Sequence, residues 1–212
     1  MGGAASTNAA MARTQDRGVA RRQAFLQAAR EVFLEQGYEA ASVNDVVRRA
    51  GGSLATLYAQ FGNKEGLFFA VLQDQHERFI RAITPDSVDH LSLEEGLQAI
   101  GERYVRGLLT RENISFYRIM IGEARKFPEQ MRRYNSTGGA DKVTSVLANF
   151  LRAKGVMSDD PELGASALQQ LWRARHQYRS VVDDAYQVSE KEIVEHVSRA
   201  TQIFLHGALP RA

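Results

Sequence analysis

Cysteine is absent from this sequence of 212 residues. Without a thiol, the chain can form no disulfide, no thiolate nucleophile and no zinc site with sulfur ligands. Sensing of oxidants through a thiol is excluded for the same reason. The absence fits a protein that works in a reducing compartment, and we expect a cytoplasmic location.

Proline and long apolar runs are also scarce. Only four prolines occur, and no extended Val/Ile/Thr-rich alternation of the kind that forms strands is present. The longest apolar run, 67–72, is far shorter than the roughly 18 residues that a membrane span needs. Residues 1–20 lack the apolar core of a signal peptide. These absences predict an all-α protein with no membrane segment.

Patterns typical of catalysis or metal binding are missing as well. The five histidines are scattered, and no pair has the H-E-x-x-H spacing that places two ligands on one helix face. Gly52-Ser53 lacks the preceding strand and the second glycine of a nucleophile elbow. No Gly-rich phosphate loop and no paired carboxylates stand out. We therefore expect no enzymatic activity, no cofactor and no metal.

Basic residues cluster near the N-terminus. Residues 1–18 are small and polar, and we predict a disordered leader there. The positive charge at its end comes from Arg13, Arg17, Arg21 and Arg22. These side chains form either a solvated tail or an arm that lies along DNA. The net charge of the chain, +2, does not decide between them, because the position of basic residues matters more than their sum.

Three helices separated by breaks are predicted in the first third of the chain. Apolar residues recur at helical spacing up to Gly37, where the first helix is expected to end. Ser42 should cap a short second helix, with Asp45 as its capping-box partner. A pair of glycines ends this helix, and Ser53 caps a third.

The glycine pair, Gly51-Gly52, allows a tight turn between the two short helices. Leu57 and Phe61 lie four residues apart and should anchor the third helix inward. The opposite face is then left for a partner. Short helices joined by a tight turn are typical of a helix-turn-helix, whose second helix enters a DNA major groove about 12 Å wide. We therefore predict DNA binding.

The same stretch resembles the TetR family of transcriptional regulators. The resemblance rests on the run 22–33 and on Gly37-Tyr38, Ser42, Ala50-Gly51, Ser53, Thr56-Leu57-Tyr58, Phe61 and Lys64-Glu65. The chain departs from the family pattern at Gly52, where a valine is usual. The resemblance implies an all-α homodimer with a three-helix DNA-binding domain, 19–66, and a larger helical regulatory and dimerisation domain, 67–212.

The DNA-contacting residues follow from the resemblance and from the outer face of the third helix. Phosphate contacts are expected from Thr56, Tyr58 and Lys64, with Ser42 at a helix N-terminus. Leu54 and Ala55 would meet base edges, where an apolar side chain reads a thymine methyl. Gln60 would bind either adenine or phosphate, and partial core packing is the alternative for Tyr58. The predicted set is Ser42, Ser53, Leu54, Ala55, Thr56, Tyr58, Gln60 and Lys64.

Past Pro85 the sequence predicts a second helical unit, and its stretch 116–160 resembles the C-terminal domain of the AefR-like subgroup. The resemblance names no ligand. Aromatic and Met side chains suit apolar ligands, and the candidate pocket residues are Tyr104, Phe116, Met120, Glu123, Trp172 and His176. The alternatives are core packing for each aromatic, a surface or interface role for His176, and for Glu123 an ion pair with Arg118, Arg125 or Lys126.

The last two predicted helices carry apolar stripes that suggest a dimer seam. Residues at four- and three-residue spacing on the final helix make a coiled-coil-like stripe. The predicted interface residues are Leu168, Leu171, Tyr178, Ile193, Val197, Ala200 and Phe204. The alternative is that the stripe packs inside one subunit.

These observations predict a ligand-responsive regulator of transcription. We expect a repressor that binds a near-palindromic DNA operator as a homodimer and is released by a small molecule. Activation is one alternative, and a DNA-binding architectural protein without a ligand is another. The hypothesis of an architectural protein predicts a fully packed C-terminal unit, whereas the hypothesis of a ligand sensor predicts an apolar cavity there.

Overall fold

The computed structural model describes residues 3–84, 90–136, 139–157 and 159–207, with side chains from residue 16 onward except 136–141. Every regular element in these ranges is a helix, which confirms the all-α prediction. The helices are α1 (Gly3–Ala40), α2 (Val43–Ala50), α3 (Leu54–Phe61), α4 (Lys64–Ile83), α5 (Leu93–Leu108), α6 (Arg111–Glu123), α7 (Pro128–Ser136), α8 (Gly139–Ala153), α9 (Pro161–Val182) and α10 (Glu190–His206). Among the described residues, no helix combines the length and hydropathy that crossing a bilayer requires.

Two compact units make up the chain, Met1–Asp74 and Gln75–Ala212. The division falls inside α4, later than the expected boundary between 66 and 67. Phe68 explains the difference, because its ring packs against Phe33 at 5.3 Å and Tyr38 at 4.9 Å between centroids. The first turns of α4 therefore belong to the core of the first unit.

Helix α1 is longer than the sequence predicted. It begins at Gly3, within the segment expected to be a disordered leader, and the alanine-rich composition there has high helix propensity. Near its other end, Gly37 adopts φ 74° and ψ 175°, a conformation that side-chain-bearing residues rarely adopt. The chain thus breaks at the glycine that was predicted to end the helix.

The core of the first unit is formed by one face of α1 against α2, α3 and the start of α4. Phe25, Ala29 and Val32 have no exposed surface. The ring of Phe25 also meets that of Phe61 edge-on at 6.3 Å between centroids. This contact ties α1 to the inner face of α3.

The glycine that departs from the family pattern lies directly against this core. A Cβ atom at Gly52 would come within 2.6 Å of Phe25 Cζ, which is too close for two carbon atoms. The space of the usual valine is thus occupied by the Phe25 ring. Because that ring is fully buried, it has little freedom to move aside.

Helices α5, α8, α9 and α10 enclose the core of the second unit. A Cβ atom at Gly101 on α5 would lie 2.6 Å from Val197 Cγ1 and 2.7 Å from Trp172 Cε2. The glycine therefore lets α5 approach both α9 and α10. The N–H group of the buried indole has a hydrogen-bond partner, because Trp172 Nε1 donates to Thr201 Oγ1 at 3.0 Å.

The stripe on α10 packs inside this unit rather than outside it. Ile193, Val197 and Ala200 are at most 5% exposed, and Leu168 on α9 is fully buried. Partly buried residues against the same core include Leu171 and Phe204. Burial of these side chains within a single chain favours the alternative of packing inside one subunit, and the dimer seam stays a prediction. Of the predicted interface, only Tyr178 is widely exposed, at 70%.

Candidate nucleic-acid interface

Helices α2 and α3 form a helix-turn-helix. Gly51 ends α2 with φ 67° and ψ 57°, and its N–H donates to the Val47 carbonyl oxygen at 3.0 Å. Val46 is buried on the inner face of α2, and Leu57 and Phe61 are buried on the inner face of α3. The inward anchors predicted from the spacing are thus confirmed. Because Leu57 and Phe61 face the core, the opposite face of α3 points to solvent.

The outer face of α3 presents small or flat side chains to solvent. Leu54 is 37% exposed and Tyr58 is 45% exposed, so both side chains are accessible to a partner. Ala55 and Thr56 are exposed beside them. A helix with such a face can enter a major groove without steric obstruction.

Gln60 is oriented differently from its neighbours on α3. It is partly buried, and its Oε1 atom is enclosed and accepts no hydrogen bond from the part of the chain that the structure describes. A two-bond contact with adenine needs both the oxygen and the nitrogen of the amide. In this arrangement the oxygen is turned away from solvent, which favours a contact through nitrogen alone.

The two predicted N-caps behave differently. Ser53 Oγ accepts a hydrogen bond from the Thr56 backbone N–H at 3.1 Å and lies 2.8 Å from Thr56 Oγ1. Ser42 occupies the N-cap position of α2, but its side chain makes no capping bond to the described residues. The predicted capping box with Asp45 is therefore wrong. Asp45 instead pairs with Arg48 at 2.8 Å, a cation within reach of its short side chain.

Lys64 stands at the start of α4 and is held by the end of α1. Its Nζ atom donates a hydrogen bond to the Glu39 carbonyl oxygen at 2.9 Å. The same atom lies 4.8 Å from the centroid of the Tyr38 ring. The sequence pointed to the charge of Lys64 but gave no signal of this support, because its partners lie more than twenty residues earlier.

Two of the N-terminal arginines bind residues of the helix-turn-helix. Arg21 Nη1 donates to the carbonyl oxygen of Ala50 at 3.1 Å and also to that of Gly51. The Arg22 guanidinium lies over the Phe61 ring, 4.5 Å from its centroid. These two side chains therefore bind other residues of the first unit. The sequence offered only a solvated tail or an arm along DNA, and this role is neither. Arg13 lies outside the described side chains, and Arg17 is exposed.

Most of the predicted ligand-binding residues are core side chains in this structure. Tyr104, Phe116 and Trp172 are at most 3% exposed, and the rings of Tyr104 and Trp172 are 6.0 Å apart. Burial raises the pKa of the Tyr104 hydroxyl. His176 is buried as well, with Nδ1 2.7 Å from the Tyr186 hydroxyl. Burial, followed by the charge of His196, lowers the pKa of His176.

Met120 and Glu123 on α6 are only partly buried. Glu123 Oε2 lies 2.9 Å from Lys126 Nζ, the ion pair given as an alternative. Two surface cavities, of about 820 Å³ and 380 Å³, lie along α6 and α9 in the described part of the unit, and none of the six candidates lines them. A pocket formed by these six residues stays a prediction.

Arg118 has a different role from the one that its spacing to Glu123 allowed. Its Nε donates to the Val181 carbonyl oxygen at 2.6 Å, and its Nη2 donates to that of Ser180 at 2.5 Å. Its Nη1 binds Asp184. The guanidinium of α6 thus satisfies carbonyl groups at the C-terminal end of α9.

Comparisons with known proteins agree with this geometry. Residues 25–71 match the family model described as "Bacterial regulatory proteins, tetR family". Residues 95–207, more than half of the chain, match the model of the "AefR-like transcriptional repressor, C-terminal domain". The chain belongs to the TetR family. This confirms both resemblances seen in the sequence.

Individual TetR-family proteins are similar over different lengths. The chain is 50% identical to the HTH-type transcriptional repressor ComR of Escherichia coli over 58 residues, which covers 27% of this chain and 28% of ComR. A solved TetR-family regulator from Mesorhizobium loti matches with a TM-score of 0.79 at 23% identity, covering 89% of this chain and 96% of that one. The flavonoid-responsive regulator FrrA matches with a TM-score of 0.72 at 28% identity, covering 91% and 98%. The chain thus spans under a third of ComR but nearly all of the solved structures.

The two serine caps of this TetR-family unit provide a matched test. Replacing Ser53 by Ala removes the bond to the Thr56 N–H, and we expect the free energy of unfolding to fall by about 1 kcal/mol. Ser42→Ala removes no capping bond and should change it by less than about 0.5 kcal/mol. Urea denaturation of the purified variants measures both. Equal losses would contradict the assignment of the cap to Ser53 alone.

Proposed function

We propose that this TetR-family protein is a transcriptional repressor that binds a near-palindromic operator as a homodimer and is released by a small molecule. The observation that carries the proposal is the outer face of α3, where Leu54 and Tyr58 are exposed above the buried Leu57 and Phe61. The repressor ComR, similar over a quarter of the chain, supports the sign of regulation. An activator would raise rather than lower transcription of a reporter placed behind the operator.

The proposed DNA contacts divide into two kinds. Thr56, Tyr58, Lys64 and the Ser42 hydroxyl bind phosphate and fix the position of α3, without reading sequence. Leu54 and Ala55 touch base edges, where apolar side chains favour the methyl group of thymine. We also assign Gln60 to phosphate, since its Oε1 atom is enclosed. Ser53 contributes by capping the helix through its hydroxyl oxygen rather than by touching DNA.

Operator binding is tested first with Lys64→Ala. DNA fragments captured from a genomic library by the full-length protein supply the operator, and fluorescence anisotropy then measures affinity over a range of salt concentrations. We expect weaker binding to all sequences and a salt slope smaller by about one unit, because one phosphate contact is lost. Lys191→Ala is the control, since Lys191 lies on α10 with an 84% exposed side chain. Unchanged affinity and slope in Lys64→Ala would refute the phosphate assignment.

TetR-family regulators typically form dimers, and we propose that the exposed stripe of α9 is the contact in this protein. Leu163 and Tyr178 are 57% and 70% exposed, and Ala167 and Ala174 are exposed between them. The spacings of four, seven and four residues place these side chains on one helix face. Alanines allow two helices to approach closely, and larger apolar residues at either end add buried area.

Ala174→Arg tests this stripe against the buried one. A long charged side chain at an exposed position should leave the subunit folded but place an unpaired charge in the contact. We expect a folded monomer with weak operator binding, measured by sedimentation and by circular dichroism. Phe204→Glu is the contrast, because Phe204 packs against the core, and it should lower the unfolding temperature instead. A dimeric Ala174→Arg with normal affinity would exclude this face.

For the effector we propose a small, planar, largely apolar molecule. The support is the similarity to FrrA, a flavonoid-responsive regulator, over nearly the whole chain. Among the predicted contacts, Met120 and Glu123 are partly exposed and are the first side chains that we assign to such a ligand. The effector acts by favouring a conformation that binds DNA poorly, so that each ligand lowers the affinity of the other by the same factor.

A panel of flavonoids provides the test. Compounds that raise the unfolding temperature of the purified protein are titrated into its operator complex. We expect operator affinity to fall about 5- to 150-fold, which corresponds to an ordinary coupling free energy. Met120→Ala should weaken binding of the compound while leaving operator affinity in its absence unchanged. A compound that binds tightly without affecting operator affinity would disprove the sensor mechanism and leave DNA binding intact.

A further inference from the structure

Two contacts within the chain restrain the ammonium group of Lys64. Its Nζ atom has three donors, and one of them is used by the Glu39 carbonyl oxygen at 2.9 Å. That oxygen lies just after the break at Gly37, and a backbone carbonyl is a strong acceptor without a net charge. A lysine at an exposed helix start would otherwise sample many rotamers and lose that freedom on binding.

The Tyr38 ring provides the second restraint. Its centroid lies 4.8 Å from Lys64 Nζ, within the range of a cation–π contact. The ring is itself held in place, since it stacks on Phe33 at 6.0 Å and lies 4.9 Å from Phe68. Its exposed fraction is only 9%. The platform beneath the ammonium group therefore does not move with the side chain it supports.

The nature of this support preserves the charge of Lys64. A carboxylate in the position of the ring would restrain the ammonium group equally well, but it would neutralise the charge that attracts a phosphate. An aromatic face and a carbonyl oxygen attract the cation without carrying a net charge. Among the residues that the structure describes, only the Glu39 carbonyl oxygen accepts from Nζ, so its other two donors can bind a further acceptor.

We propose that Tyr38 is a positioning residue for DNA binding, which holds the Lys64 ammonium group in place for a phosphate of the operator backbone. This inference rests on the proposed function, because it requires Lys64 to bind phosphate. Tyr38 itself does not touch DNA. Its contribution is to reduce the conformational freedom that Lys64 loses on binding, and the aromatic face rather than the hydroxyl provides it.

A double-mutant cycle distinguishes this role from ordinary core packing. Tyr38→Leu keeps apolar volume but removes the aromatic face, whereas Tyr38→Phe keeps the face and removes the hydroxyl. We expect Tyr38→Leu to weaken operator binding about two- to fivefold, and to have no further effect when combined with Lys64→Ala. Tyr38→Phe should bind like the parent protein. Anisotropy titrations with the captured operator measure all of these variants.

The outcomes separate the inference from the proposed function. An equal loss from Tyr38→Leu with and without Lys64 would mean that Tyr38 acts through the fold, and would overturn the inference. A loss in Tyr38→Phe equal to that in Tyr38→Leu would assign the effect to the hydroxyl and overturn it too. If Lys64→Ala alone binds the operator like the parent protein, the phosphate assignment fails first.

A measurement on the parent protein keeps the test valid even where Tyr38→Leu does not fold. The ring current of Tyr38 should shift the ε-methylene protons of Lys64 upfield of the position usual for lysine in the NMR spectrum of the chain. Lys64→Ala assigns the shifted signal by its disappearance. Lysine ε-methylene signals that all lie at ordinary positions would show that the contact is absent in solution and overturn the proposal.

Discussion

The packing of Phe25 determines where the recognition helix α3 can lie. Its ring meets the Phe61 ring edge-on at 6.3 Å and fills the space above Gly52. One side chain of α1 therefore contacts both the turn and the inner face of α3. Because the ring is fully buried, neither contact can loosen without opening the core. This arrangement therefore sets the orientation of the exposed face of α3.

Polar contacts reinforce the same geometry from outside the core. The Arg21 guanidinium binds carbonyl oxygens at the end of α2, where the helix has no further N–H groups to offer. Ser53 performs the opposite task at the start of α3, by accepting the Thr56 N–H. The turn between the helices is thus stabilised at both of its edges, with the Phe25 ring beneath it.

The sequence predicted those features that depend on nearby residues. The anchors Leu57 and Phe61, the break at Gly51 and the cap at Ser53 all follow from spacings of four residues or fewer. The box expected between Ser42 and Asp45 did not form: Arg48 and Gln36 bind the Asp45 carboxylate, and the Ser42 side chain makes no capping bond to the described residues. The spacing of a local motif therefore did not show which partner its side chains would take.

Features that depend on distant partners could not be predicted in this way. A stripe such as Ile193 and Val197 has the same spacing whether it faces its own subunit or another, and it is the burial of both residues within the chain that favours the first. The supports of Lys64 come from Tyr38 and Glu39. The aromatic residues proposed for a pocket have the composition of a binding site and of a core alike, and burial assigns Tyr104 and Trp172 to the core.

The contact between Phe25 and Gly52 also bears on how the family diversifies. Since a Cβ atom at position 52 would lie 2.6 Å from Phe25 Cζ, a valine there requires the buried ring to shift or to be replaced by a smaller side chain. The residues that position 52 accepts therefore depend on the residue at position 25, although the two positions are far apart in the chain.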